Sequence, residues 1–165
     1  MSNSVEKKSG SILGIPKPDT NTISETLNQL LADEHVLYIK MRNFHWNLVG
    51  PSFVEVHEFI EKLYNQTALE IDMVAERIQQ LGHAAAGSMA EFLEIAQLKE
   101  ASGGKKDQTL AVRDLAEDSD AMARNIRKMI SEIDEKYDDP GTVDLLIKVL
   151  MTQEKNAWML RRYLG

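Results

Sequence analysis

The chain has 165 residues, of which 43% are apolar and 27% charged, with no cysteine and a formal net charge of −7. That length suits one domain with a real hydrophobic core and is too short for a two-domain nucleotide enzyme; the apolar share is too high for a disordered chain. Without cysteine there is no disulfide framework, zinc finger, iron–sulfur cluster or thiol nucleophile, so any bound metal must be held by nitrogen and oxygen. Residues 1–10 lack the apolar stretch of a secretory signal, and the best apolar run, 143–151, is broken by Asp144 and Lys148, well short of the about 18 residues of a membrane span. The expectation is a cytoplasmic protein with no membrane partner, whose acidity favours cations over nucleic acid.

Residues 1–20 read as a flexible N-terminal tail, rich in Ser, Gly and Pro, in which Lys7, Lys8 and Lys17 face Glu6 and Asp19. Residues 21–165 read as one helical domain. Thr22 with Glu25 makes a capping box that opens a helix running to Gly50 and Pro51. Ser52 with Glu55 opens a second helix, ending at Gly82, and Ser88 with Glu91 opens a short one that fades near Leu98. Residues 101–106, with Gly103 and Gly104, read as a loop. Asp107 or Thr109 then starts a long helix ending near Asp138, and Asp139 followed by Pro140 fits an N-cap with proline at the first helical position of a last helix reaching about Tyr163. There is no strand signal and no internal repeat. The expected fold is all-α: a four-helix bundle with a short extra helix between its second and third long helices.

The first helix is apolar on two sides. Leu27, Leu30, Leu37, Met41, Phe44 and Leu48 form one stripe, interrupted by Glu34, and Leu31, Tyr38 and His45 widen it; Ala32, Val36, Ile39 and Trp46 form a second. A helix with two apolar faces buries them against two different things, which points to a subunit interface.

The second helix carries His57, Glu61, Asp72 and Glu76. At 100° per residue they fall at about 0°, 40°, 60° and 100°, on one arc of the helix. Glu61 and Asp72 are nevertheless about 16 Å apart along the axis, too far for both pairs to reach one ion at metal–ligand distances. His45 lies six residues before Pro51 and His57 six after it, so an antiparallel hairpin brings the two imidazoles level. The residues therefore divide into two half-sites: His45, His57 and Glu61 in one, Asp72 and Glu76 in the other. A two-fold axis near Gln66 and Thr67 pairs each half with the complement on a second copy. Imidazole with carboxylate suits Fe(II), Zn(II) or Mn(II), and spacing does not choose among them. The Glu-x-x-His pair of an in-bundle di-iron site is absent.

The run Asn43-Phe44-His45-Trp46-Asn47, then Gly50-Pro51-x-Phe53-x-x-x-His57, then Asp72-x-x-x-Glu76-Arg77 resembles the Dps family, the mini-ferritins known as DNA-binding proteins from starved cells. The resemblance extends from about residue 22 to the end. It implies a ferritin-like bundle assembled into a hollow homododecamer of tetrahedral symmetry. Iron is then the metal, with two ions per site allowed and Zn2+ or Mn2+ able to substitute. Fe(II) is oxidised, preferably by hydrogen peroxide and otherwise by oxygen, and stored inside as ferric mineral. Carried over to this chain, the ferroxidase residues are His45, His57 and Glu61 from one subunit with Asp72 and Glu76 from its partner. Glu61 stands where the family usually has Asp, keeping the charge on a longer arm. Trp46, beside His45, is a candidate electron donor whose other role is interface packing, and Glu132, Asp134 and Glu135 are candidates for an iron-entry pore. DNA is the remaining implied partner, with Lys7, Lys8 and Lys17 as its contacts and avidity over many copies. The competing readings are a nucleoid-binding structural protein that protects DNA by association and a helical oligomer that uses Zn(II) only as a staple.

Overall fold

The computed structural model describes residues 13–165. Its first helix, α1 (Lys17–Asn47), starts ahead of the expected Thr22 cap. Pro16 takes the N-cap position, with the Asp19 and Thr20 amides donating to its carbonyl, and Pro18 lies in the first turn, where its missing N–H costs nothing. Thr22 is thus already helical and its hydroxyl donates back to the Pro18 carbonyl, so the box with Glu25 does not form. Residues 17–20, read as tail from the sequence, belong to the helix, and Lys17 is exposed at its first position. Lys7 and Lys8 lie outside the described residues.

After α1 the chain makes a two-residue strand, β1 (Leu48–Val49), then α2 (Phe53–Gln80), the short α3 (Met89–Ile95), a second two-residue strand β2 (Lys106–Asp107), α4 (Gln108–Tyr137) and α5 (Pro140–Leu164). β1 and β2 pair in parallel, Leu48 with Lys106 and Val49 with Asp107. The sequence carries no sign of this pairing because two residues are too few to show an alternating period.

The Ser52 box is also absent: its side chain makes no capping bond, and its amide donates to Gln108 Oε1 at 3.0 Å. Gln108 Nε2 in turn donates to the Tyr163 hydroxyl at 2.6 Å, so one amide joins the α1–α2 turn to the start of α4 and the end of α5. This close approach requires glycine at position 50, where a Cβ would stand 2.2 Å from Gln108 Oε1. The box of Ser88 and Glu91 does form, with both reciprocal bonds in place. α3 ends at Ile95 rather than near Leu98 because the Gln97 and Leu98 amides turn to Asp33 Oδ1, at 2.7 and 2.8 Å. Asp107 and Asp139 cap α4 and α5 as the sequence predicts.

α1 and α2 form one antiparallel hairpin and α4 and α5 the other. Gln108 at the start of α4 meets the start of α2, and Arg77 near the end of α2 meets Asp139 at the start of α5. The segment between α2 and α4 therefore runs the length of the bundle, about 40 Å, with α3 lying against α1 on the way. Among the described residues no helix is long and apolar enough to cross a membrane.

The first α1 stripe is buried as expected, together with Ile60, Val74 and Ile78 of α2, Leu115 and Ile126 of α4, and Leu146 and Leu160 of α5. The second stripe has a partly different explanation from the one its sequence suggests. Ala32 and Val36 are buried within the chain, on the side where α3 packs and the His35 ring stacks on Phe92 at 3.7 Å. Ile39 and Trp46 remain exposed.

Glu34, the interruption in the first stripe, is wholly buried. Burial, reinforced by the Glu70 and Asp33 carboxylates, holds its carboxyl well above the usual range. Glu70 of α2 is also buried, and burial pushes it up to about 7 against the hydrogen bonds of Thr152, Gln66 and Gln153.

Candidate metal centre

The α1–α2 turn places His45 and His57 side by side. Their rings stack with centroids 3.6 Å apart and planes inclined by 17°. His45 Nδ1 donates to the His57 carbonyl at 3.0 Å, and His57 Nδ1 donates to the His45 carbonyl at 2.8 Å. A carbonyl can only accept, so each Nδ1 carries the proton and, in the neutral ring, each Nε2 keeps its lone pair. Two adjacent imidazoles locked in the same tautomer through backbone bonds could hold a metal ion, with the orienting hydrogen bonds of such ligands already in place.

Three aromatic residues hold the pair. Phe53 stacks on His57 at 5.1 Å, Tyr64 stands edge-on to His45 at 5.2 Å, and Tyr38 stands edge-on to Tyr64 at 6.0 Å. The Tyr64 hydroxyl donates to Glu61 Oε1 at 3.3 Å; burial first, and then the Glu61 carboxylate, hold this phenol above its usual range, so it stays a donor. Arg42 lies over the rings of Trp46, Tyr64 and Tyr38 at 4.9, 5.0 and 5.7 Å and donates to the Tyr38 hydroxyl at 2.9 Å. Arg42 and Tyr64 were not singled out from the sequence. The usable signals were Tyr38, Arg42 and Trp46 at successive i, i+4 positions and Tyr64 three residues after Glu61.

Glu61, Asp72 and Glu76 are all exposed on α2. The hairpin brings His45, His57 and Glu61 to one end of it, whereas Asp72 and Glu76 stay about 16 Å further along the axis. Among the described residues no three His, Asp or Glu side chains are grouped so that they could hold an ion. Trp46 is 62% exposed, its indole covered on one side by Arg42. Glu132, Asp134 and Glu135 are exposed near the end of α4; Glu132 pairs with Lys136 at 2.8 Å and Glu135 accepts from Ser131.

Two antiparallel helical hairpins joined by a bundle-length crossover, with imidazole and carboxylate donors on the second helix, define a ferritin-like protein. The model of the ferritin-like domain family matches residues 24–165. DNA protection during starvation protein 2 of Bacillus anthracis is 39% identical over 143 residues, covering 87% of this chain and 97% of that protein. A low temperature-induced protein of Nostoc sp. is 35% identical over 152 residues, covering 92% of this chain and 85% of its own. Among solved structures, the Dps protein of Vibrio cholerae O1, described as a member of a broad superfamily of ferritin-like diiron-carboxylate proteins, superposes with a TM-score of 0.89 at 30% identity, over 93% of this chain and 96% of that one. The Dps protein of Bacillus brevis superposes with a TM-score of 0.85 at 34% identity, over 90% and 98%. This chain belongs to the Dps family.

Proposed function

We propose that this protein is a ferroxidase and iron store whose sites form between two copies of the chain. His45, His57 and Glu61 of one copy face Asp72 and Glu76 of the other, and twelve copies close a tetrahedral cage that retains the ferric product. The observation that carries the reading is the reciprocal lock of His45 and His57, which offers two Nε2 lone pairs beside an exposed carboxylate. Fe(II) is the substrate. Its preferred oxidant is hydrogen peroxide, with oxygen as the alternative. Two Fe(II) ions each give up one electron, peroxide and two protons become two waters, and no hydroxyl radical is released. Zn(II) and Mn(II) fit the same donors as non-reacting substitutes. The imidazoles bind Fe(II), and the carboxylates lower the energy of the product because hard anionic oxygen favours the higher charge. Trp46 and Arg42 lie beside the pair, where an indole is positioned to supply an electron should one oxidising equivalent escape.

Protection of DNA, which the Bacillus anthracis relative has in its name, is proposed to follow from removing Fe(II) and peroxide together in the cytoplasm. A net charge of −7 per chain opposes close approach to a duplex. The alternative, protection by physical association, requires a low-salt shift of duplex DNA that is lost on deleting residues 1–10.

The test is the rate of Fe(II) oxidation after addition of peroxide, followed by ferric absorbance, in wild type and His57→Ala. Losing an orienting partner of a ligand costs about 10–100-fold, so losing the ligand itself should cost at least about 100-fold. Unchanged oxidation in a correctly assembled variant refutes the site. Sharing between chains is tested by unfolding and reassembling a variant lacking His45 and His57 with one lacking Asp72 and Glu76. Mixed interfaces regain one intact site; a mixture as inactive as its parents overturns the division.

A further inference from the structure

Glu34 and Glu70 belong to neither half-site, and the fold offers them no counter-charge. Glu34 lies eleven residues before His45 and Glu70 thirteen after His57. Since those histidines are bonded to each other's carbonyls, the register of the hairpin puts the two carboxylates within about 3 Å of one height. Gln153 reaches the same level from α5, its Nε2 lying 3.5 Å from Glu70 Oε2. All three residues are at most 1% exposed. Both oxygens of Glu34 and Oε1 of Gln153 are buried without any hydrogen-bond partner, and no ion pair among the described residues includes Glu34 or Glu70. The orphaned atoms of these three residues are all acceptors.

We propose that the bundle core holds a second cation site, separate from the one between subunits, in which a hard divalent ion is bound by Glu34, Glu70 and the amide oxygen of Gln153. Neither Glu34 oxygen has a hydrogen-bond partner, and the Glu70 carboxylate is near enough for its charge to oppose ionisation of Glu34. Two carboxylates match the charge of one divalent ion, removing the large cost of burying them unpaired. An all-oxygen donor set selects Mg(II), Ca(II) or Mn(II) over softer metals. Thr67 Oγ1 and Asn156 Nδ2, three residues from Glu70 and Gln153, are also buried and partnerless. A surface groove of about 350 Å³ between α2 and α5 is lined in part by Gln66, Thr152 and Asn156, and Gln66 Nε2 lies 3.4 Å from Glu70 Oε1. Lys62 and Lys155 also line this groove, so the ion enters and leaves slowly.

Mn(II) is the probe. The assembled protein carrying His45→Ala and His57→Ala, which lacks the nitrogen ligands of the intersubunit site, is incubated with Mn(II), desalted and assayed for metal. We expect retention of a single Mn(II) per chain, its complete loss when Glu34→Gln and Glu70→Gln are added, and a melting temperature that Mn(II) raises only while the two glutamates are present. In wild-type crystals soaked with Mn(II), an anomalous peak is expected between Glu34, Glu70 and Gln153. A desalted protein free of Mn(II) with no such peak overturns the proposal, as does retention that survives both glutamine substitutions; if the glutamine variant fails to fold, the anomalous map decides. None of these readouts depends on iron oxidation, so failure of the ferroxidase reading leaves this test intact.

Discussion

The junction of α2 with α5 makes a strong prediction about stability and pH. Asp139 is buried and Arg77 nearly so, with Nη2 to Oδ1 at 2.7 Å. Arg77 Nε also donates to Thr142 Oγ1 at 2.9 Å, and Asp139 caps α5 by accepting from the Thr142 amide at 3.1 Å. Asp139→Ala removes a cap worth about 1 kcal/mol and strands a guanidinium that keeps some exposure, which sets the ion-pair loss at the low end of about 3–5 kcal/mol. For a chain of this size a loss of about 3 kcal/mol lowers the melting temperature by about 6–12 °C. Asp139→Asn keeps a competent cap but not the charge, so it should account for most of the loss. Burial alone would raise the Asp139 carboxyl; the hydrogen bonds from Thr142 and Arg77 outweigh it and hold the group below its ordinary 3.8. The unfolded chain therefore binds the proton more tightly. The contribution is full above about pH 4 and is lost as pH falls through the lower folded-state value. Thermal melts of wild type and Asp139→Asn, at one protein concentration because assembly also contributes, should differ at pH 7 and converge on acidification. An Asn variant that melts with wild type at pH 7 refutes the argument.

Three further outcomes follow from single contacts. Tyr64→Phe removes the donor to Glu61 while keeping the edge-on ring against His45, and should weaken Zn(II) binding at the proposed intersubunit site by about 10-fold in a competition titration. Asp138 ends α4 at φ 47°, a conformation that costs a side-chain-bearing residue about 1 kcal/mol; Asp138→Gly should raise the midpoint of urea unfolding accordingly. Ser88→Ala dismantles the capping box it forms with Glu91, at a cost of about 1 kcal/mol, and should speed amide exchange in α3 while leaving α4 unchanged.

The capping pattern shows how far local sequence carries. Asp107, Asp139 and Ser88 act as written because each side chain accepts from amides of its own first turn, Asp139 while also holding Arg77. Thr22 and Ser52 fit the same pattern and fail for tertiary reasons. The paired prolines start α1 a turn early, and Gln108, more than fifty residues away, takes the Ser52 amide. α3 stops where Asp33 captures two amides, another contact that no local window contains. The second stripe of α1 was legible as a surface needing cover, but not as one shared between the chain's own α3 and the exposed positions beyond it.

The level placement of His45 and His57 was legible because six residues on either side of a turn fix the register of a hairpin. The exchange of Nδ1 bonds was not, since it depends on how closely two backbones approach. The division into half-sites followed from α-helical rise alone, and it has an energetic consequence. In one chain Glu61, Asp72 and Glu76 are exposed to solvent. In the proposed pairing they converge with the two imidazoles, so three carboxylates are desolvated at an interface with no lysine or arginine among the assigned ligands. Their repulsion opposes assembly until a cation neutralises it. By reciprocity, whatever assembly gains from the cation, the cation gains in affinity from assembly.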